Sequence, residues 1–255
     1  MTMTRQMFAG GLTPAGFTDF FDYIMPLKDA KRRYFLKGAS GSGKSTLMKK
    51  VAAAFEAARV DMDLFYCAND AASLDGLAVK DAGFCMLDAT APHAHDPALP
   101  GAIDETIDFA QFLDGKKLYK YVGELTGLLD TKGQMVKKAQ RFLVAAGNVY
   151  AAESARYRTA MAKPAIRKVM RDCLGAFKQA HCADMSMETD RKLFLSAVTP
   201  DGVVSFADKV LSAYKVYGLY GAGGTHVVLT GLKNFANMRG ICTESFFCPL
   251  EPTRR

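Results

Sequence analysis

Gly38-Ala39-Ser40-Gly41-Ser42-Gly43-Lys44-Ser45 is the stretch whose reading decides the fold. It fits the spacing G-x-x-x-x-G-K-[ST], in which glycines let the backbone curl so that successive N–H groups point inward at a helix start. Such a nest suits an anion, and above all a phosphate. Lys44 at that position reaches β- and γ-phosphates, and the Ser45 hydroxyl is a ligand for Mg²⁺. The flanks agree. Tyr34 to Gly38 is a short apolar run ending in glycine, which predicts a strand. Leu47, Met48, Val51, Ala54, Phe55 and Ala58 then recur at helical spacing.

Working outward, Asp63 to Cys67 and Gly83 to Leu87 read as a second and a third strand. Continuous apolar runs of this kind suit parallel strands buried on both faces. Thr106 to about Lys178 reads as helical, with breaks near Gly115, Gly133, Gly147 and Pro164, and Leu193 to Val198 reads as a fourth strand. Strands alternating with helices predict an α/β, three-layer fold around a mostly parallel sheet, with a helical insert over about 106–180.

An internal repeat follows. Leu12 to Phe17, with Phe20, Asp22 and Ile24, recurs as Val198 to Val203 with Phe206, Asp208 and Val210, and Thr-Pro in each reads as a helix N-cap followed by proline at the first helical position. Tyr34 to Gly38 matches Tyr217 to Gly221, and Leu64 to Cys67 matches Ser245 to Cys248. Each copy is expected to run helix, strand, glycine-rich turn, helix, strand. The expected organisation is a nucleotide-binding domain over 1–198 and a partial, truncated second copy over 199–255.

Asp88 closes the third strand, where an acid in such proteins holds Mg²⁺. Ala89 and Thr90 follow it, so no Glu is at hand to polarise water, and Asp70, Asp75 or Asp96 must supply a carboxylate if one is used. His93 and His95 lie on the next loop, where α/β ligands bind. His93 is the candidate for contact with the γ-phosphate or for a base. The expected catalytic set is Lys44, Asp88 and His93. The expected cofactors are a nucleotide, bound by residues Gly38, Ala39, Ser40, Gly41, Ser42, Gly43, Lys44, Ser45 and Thr46, and Mg²⁺, held by Ser45 and Asp88.

Composition excludes other classes. The chain has 255 residues, 49% hydrophobic and 23% charged, with net charge +7. These values suit a globular domain and neither a disordered nor a collagen-like chain. No apolar stretch reaches the ~20 residues of a membrane span, and no secretory signal is visible in the opening residues. Six cysteines without a CxxC pair read as reduced, mostly buried thiols, and the expected location is cytoplasmic. Charge is segregated: 61–114 holds eleven acids and one base, 116–178 fourteen bases and four acids. The basic stretch fits a lid over phosphates through Arg141, Arg156, Arg158, Arg167 and Arg171. It also fits a solvated helical surface, or, as the less favoured partner, nucleic acid.

The phosphate-binding loop, then Tyr66 to Asp70 with Ser73 to Gly76, then Leu87 to His93 with Asp96-Pro97, resemble a poorly characterised bacterial family of P-loop ATPases with two tandem ATP-binding halves. Leu193 to Pro200 resembles that family's connection between halves. The resemblance implies ATP binding, with a partner protein or small molecule left open. In the second half Gly221 to His226 is two residues short and lacks Lys, so only the first site is expected to bind. The absence of [NT]KxD and of an LSGGQ-like run argues against a GTPase and an ABC transporter. An ATPase leads, with a small-molecule or nucleoside kinase and a non-catalytic nucleotide sensor as alternatives.

Overall fold

The computed structural model describes residues 3–159, 163–175, 190–220 and 225–251. Its main sheet has six strands in the order β1-β5-β6-β7-β4-β8. They are β1 (Thr4–Met7), β4 (Arg32–Lys37), β5 (Met62–Tyr66), β6 (Leu74–Val79), β7 (Phe84–Asp88) and β8 (Asp104–Asp108). Two hairpin strands, β2 (Gly10–Thr13) and β3 (Gly16–Asp19), lie between β1 and β4 in the chain.

The mostly parallel, three-layer expectation is wrong. β1 with β5, and β4 with both β7 and β8, run parallel, but β6 runs antiparallel to both its neighbours, β5 and β7. The reason is the short link between β6 and β7. Lys80 to Gly83 is a turn closed by the Gly83 N–H on the Lys80 carbonyl at 2.9 Å, with Gly83 at φ +61°. Four residues cannot make the crossover that parallel strands need.

Helix α1 (Lys44–Ala57) covers one face, where Met48 and Ala52 pack on Leu36, Leu64, Leu77 and Met86. The alternate residues Phe35, Phe65, Ala78 and Cys85 enter the other face. They meet Phe21, Ile24 and Met25 from the segment after β3, together with Leu193. That second face is thus packed by a loop and a short 3₁₀ turn rather than by a layer of α-helices.

The helical insert starts later than the expected residue 106. Residues 104–108 are edge strand β8, held by a bidentate Arg33–Asp104 pair at 2.7 Å, with the Asp104 side chain fully buried. Helices follow as α2 (Gly115–Tyr119), α3 (Val122–Thr159) and α4 (Lys163–Leu174). Gly133 and Gly147 do not break α3, since a helical glycine costs only about 1 kcal/mol. Gly147 instead permits a close approach, for a Cβ there would lie 2.6 Å from Pro14 Cγ. The Gln140 amide donates to the Thr13 carbonyl at 2.8 Å and the Pro14 carbonyl at 3.0 Å beside it. Gly147→Ala is therefore expected to cost about 1–3 kcal/mol through overpacking. A urea midpoint equal to that of the wild type would mean that α3 does not press on this turn.

Beyond α4 the chain forms β9 (Asp190–Leu193), β10 (Ser196–Thr199), β11 (Gly202–Ser205), α5 (Ala207–Leu211), α6 (Thr225–Met238) and β12 (Thr243–Phe246). The expected boundary at 198 falls inside β10, and the expected strand near Tyr217 is irregular chain through Tyr220. Gly221 to Gly224 lie outside the described residues.

The two Thr-Pro segments are hairpin turns, not helix starts. β2–β3 and β10–β11 pair antiparallel, each around a two-residue loop of Pro14-Ala15 or Pro200-Asp201. In each, the Thr hydroxyl donates to the carbonyl of the closing glycine at 2.8 Å, and Gly16 and Gly202 both take φ +107°. That geometry suits proline early and glycine last in a turn. Phe8 and Phe194 exchange backbone hydrogen bonds at 2.9 and 3.0 Å, which joins the two hairpin units side by side.

Beneath that junction lies a buried charge network. Arg5 pairs with Asp63 at 2.7 Å and Glu244 at 2.6 Å, and Arg191 with the same two carboxylates at 2.7 Å each. Arg5 stands opposite Asp63 in the β1–β5 register, and Arg191 opposite Glu244 in β9–β12. Cys242 is disulfide-bonded, against the reading of six thiols, while Cys67, Cys85, Cys173 and Cys248 are free.

Candidate functional site

Sheet order puts the ends of β4 and β7 side by side, so the loop leaving β4 faces the loop leaving β7. Gly38, Gly41 and Gly43 take φ +151°, +79° and +103°, values that glycine adopts without strain. A side chain on Gly38 would meet Ser42 Oγ and Phe109 Cβ at 2.8 Å. α1 then starts with no side-chain cap, and its first helical bond is Leu47 N–H to the Gly43 carbonyl at 2.9 Å. The amides of Lys44, Ser45 and Thr46 precede that bond and so have no helical acceptor.

Ser40 to Thr46 line a cleft of about 360 Å³, together with Cys67, Asp75, Asp88, Thr90 and His93. Gly38 and Ala39 supply carbonyls that accept from Lys44 Nζ. Lys44 also stands 3.5 Å from Asp88 and is almost fully buried. Ser45 Oγ accepts the Leu74 N–H at 2.9 Å, which ties α1 to the start of β6. Thr90 clasps Gly38 by two hydrogen bonds, its hydroxyl donating to the carbonyl at 3.1 Å and accepting from the N–H at 3.2 Å.

The structure brings His93 to two carboxylates. Its Nε2 lies 3.6 Å from Asp75 Oδ2, and its ring stacks on Phe21 at 4.6 Å. Burial pushes the His93 pKa down, favouring the neutral imidazole. Burial, with the Asp88 charge adding to it, pushes the Asp75 carboxyl up to about 7. Burial likewise holds the neighbouring Cys67 thiol up at about 12, so this thiol is no nucleophile.

The other candidates go elsewhere. His95 pairs with Asp19 at 2.9 Å, and Asp96 reaches Lys37 at 2.7 Å from an exposed position. Asp70 lines the cleft, but its carboxylate is held by Ser73 and the Ala72 N–H. From the basic segment Lys132 lines the cleft, while Arg141, Arg156, Arg167 and Arg171 do not; the Arg158 side chain lies outside the described residues. Lys132 and Thr90 were missed by sequence reasoning. Thr90 sits two residues past Asp88 and was legible as a loop tie, whereas nothing near Lys132 marks it.

Comparison with family models, curated proteins and solved structures gave no match to this chain. Among the described residues no helix is long and apolar enough to cross a membrane.

Proposed function

We propose that the chain binds ATP through the Gly38–Ser45 loop and hydrolyses it slowly, the nucleotide state shifting the helical segment or a partner. One observation carries this reading: a glycine-built amide nest, Lys44, Ser45 and Asp88 converge on one cleft. A phosphate entering the nest gives Lys44 a charge-assisted partner, about twice as strong as a neutral carbonyl. Ser45 and Asp88 would hold Mg²⁺, which when bound neutralises charge on the β- and γ-phosphates. Asp88→Asn is expected to lower ATP affinity more with Mg²⁺ than in EDTA; equal losses in an equilibrium titration would reduce Asp88 to a structural strand end.

Hydrolysis is preferred to transfer onto an acceptor because a kinase reading rests on an arginine lid. The described arginines of α3 and α4 named above do not reach the cleft. The test is ADP release from ATP without acceptor, with Lys44→Ala as control. Slow, Mg²⁺-dependent turnover supports the proposal. ADP formed only with an added acceptor would establish a kinase, and binding without turnover a sensor.

A further inference from the structure

The cleft holds more donors than a phosphate nest uses. One oxygen each of Asp75 and Asp88 and one ring nitrogen of His93 lie within 4.8 Å of one another. Opposite ligands on one ion, with bonds of about 2.1 Å, stand about 4.2 Å apart, so a small closure brings all three onto one cation. The His93 Nε2 to Asp75 separation of 3.6 Å is too long for a hydrogen bond yet suits two ligands of a shared ion.

A second observation is independent of the acids. The His93 side chain is only 7% exposed, and Nε2, the ring nitrogen that faces Asp75, makes no hydrogen bond among the described residues, nor does the buried Nδ1. Buried polar atoms left unpaired are rare and call for an explanation. Phe21 stacks on the ring and fixes its plane, as a ligand's ring must be fixed. Asp75 and Asp88 stand on the neighbouring strands β6 and β7, so these two donors are set by the sheet, and His93 joins them from the loop after β7.

We propose that Asp75, Asp88 and His93 form a protein-held site for a divalent first-row transition-metal ion, of which Mn²⁺ is the probe, filled before nucleotide arrives. An imidazole donor tells against Mg²⁺, which takes oxygen ligands and keeps its waters, and two carboxylates with one imidazole suit the transition series. The site builds on the nucleotide reading, because the Gly38–Ser45 loop lines the same cleft. An ion here adds the positive charge and water activation that the residues following Asp88 do not provide.

The experiment titrates Mn²⁺ into the nucleotide-free full chain, with about a hundredfold excess of Mg²⁺, and follows free and bound ion by electron paramagnetic resonance. One Mn²⁺ per chain is expected, with coupling to a ¹⁴N nucleus in the pulsed spectrum. Asp75→Asn and His93→Gln should each lower Mn²⁺ affinity tenfold or more, and His93→Gln should remove the ¹⁴N coupling. The coupling is read on the unaltered protein, so a poorly folding variant does not decide the outcome. No Mn²⁺ bound without nucleotide, displacement by the Mg²⁺ excess, or bound Mn²⁺ lacking nitrogen coupling would each overturn the site. Nitrogen-coupled Mn²⁺ in a chain that binds no ATP would sink the nucleotide reading alone; ATP binding without nucleotide-free Mn²⁺ would sink the metal site alone.

Discussion

Lys44→Ala is expected to lower Mg²⁺·ATP affinity about a hundredfold or more, roughly 2.7 kcal/mol, with the thermal transition little changed. Lys44 is buried, and its ammonium is the cation nearest the glycine nest, held by Gly38, Ala39 and Asp88. Removing it leaves any bound phosphate without its charge-assisted partner in a partly desolvated cleft. The fold survives because the Gly38 carbonyl keeps its bond from Thr90, and α1 keeps Met48 and Ala52 in the core. Calorimetric titration beside a melting curve separates the two effects. Unchanged affinity would mean that the loop binds no triphosphate.

The second large effect falls on stability. Asp63→Ala should destabilise the fold by about 3 kcal/mol, since it leaves the buried Arg5 and the part-buried Arg191 with only Glu244 of their two shared carboxylates. Burial opposes the charge on Asp63 and Glu244. Arg5 and Arg191 outweigh it, holding Asp63 far below the usual carboxylate range and Glu244 down to about 2. Both folded values lie below the unfolded ones of 3.8 and 4.5. The contribution is therefore complete above about pH 4.5 and is lost as pH falls through the folded values. Urea midpoints measured from pH 7 down to pH 2 should fall less steeply in Asp63→Ala than in the wild type, the curves converging below about pH 4. Parallel curves would place the acid sensitivity elsewhere.

Legibility in the sequence followed local constraint. β4, β5, β7 and α1 were readable because their residues are buried on two faces or one, which leaves continuous apolar runs or a helical stripe. β6 was missed, although Leu77 to Val79 is apolar, because Ser73 to Gly76 reads as a turn. With it went the antiparallel pairings, and hence the sheet type. The short link at Lys80 to Gly83 was the available signal, since it permits only a hairpin. β8 was hidden by its edge position, where Glu105 and Asp108 face solvent and no alternation is needed. Thr-Pro misled because proline suits a helix start and a turn equally; only glycine at the fourth position separates them. At the site, Lys44, Ser45 and Asp88 were readable from spacing. Asp75 was one of three candidate carboxylates, and what singles it out, its contact with His93, depends on β6 lying beside β7.

The central claim is that the Gly38–Ser45 loop is where a nucleotide binds. Amide chemical shifts of the ¹⁵N-labelled chain, followed during titration with Mg²⁺·ATP, test it residue by residue. The account predicts saturation at one nucleotide per chain, with the largest shifts at Gly41, Gly43, Lys44 and Ser45 and none of that size along Thr225–Met238. No perturbation of the loop amides at saturating ATP, or a second saturating set at Thr225–Met238, would contradict it.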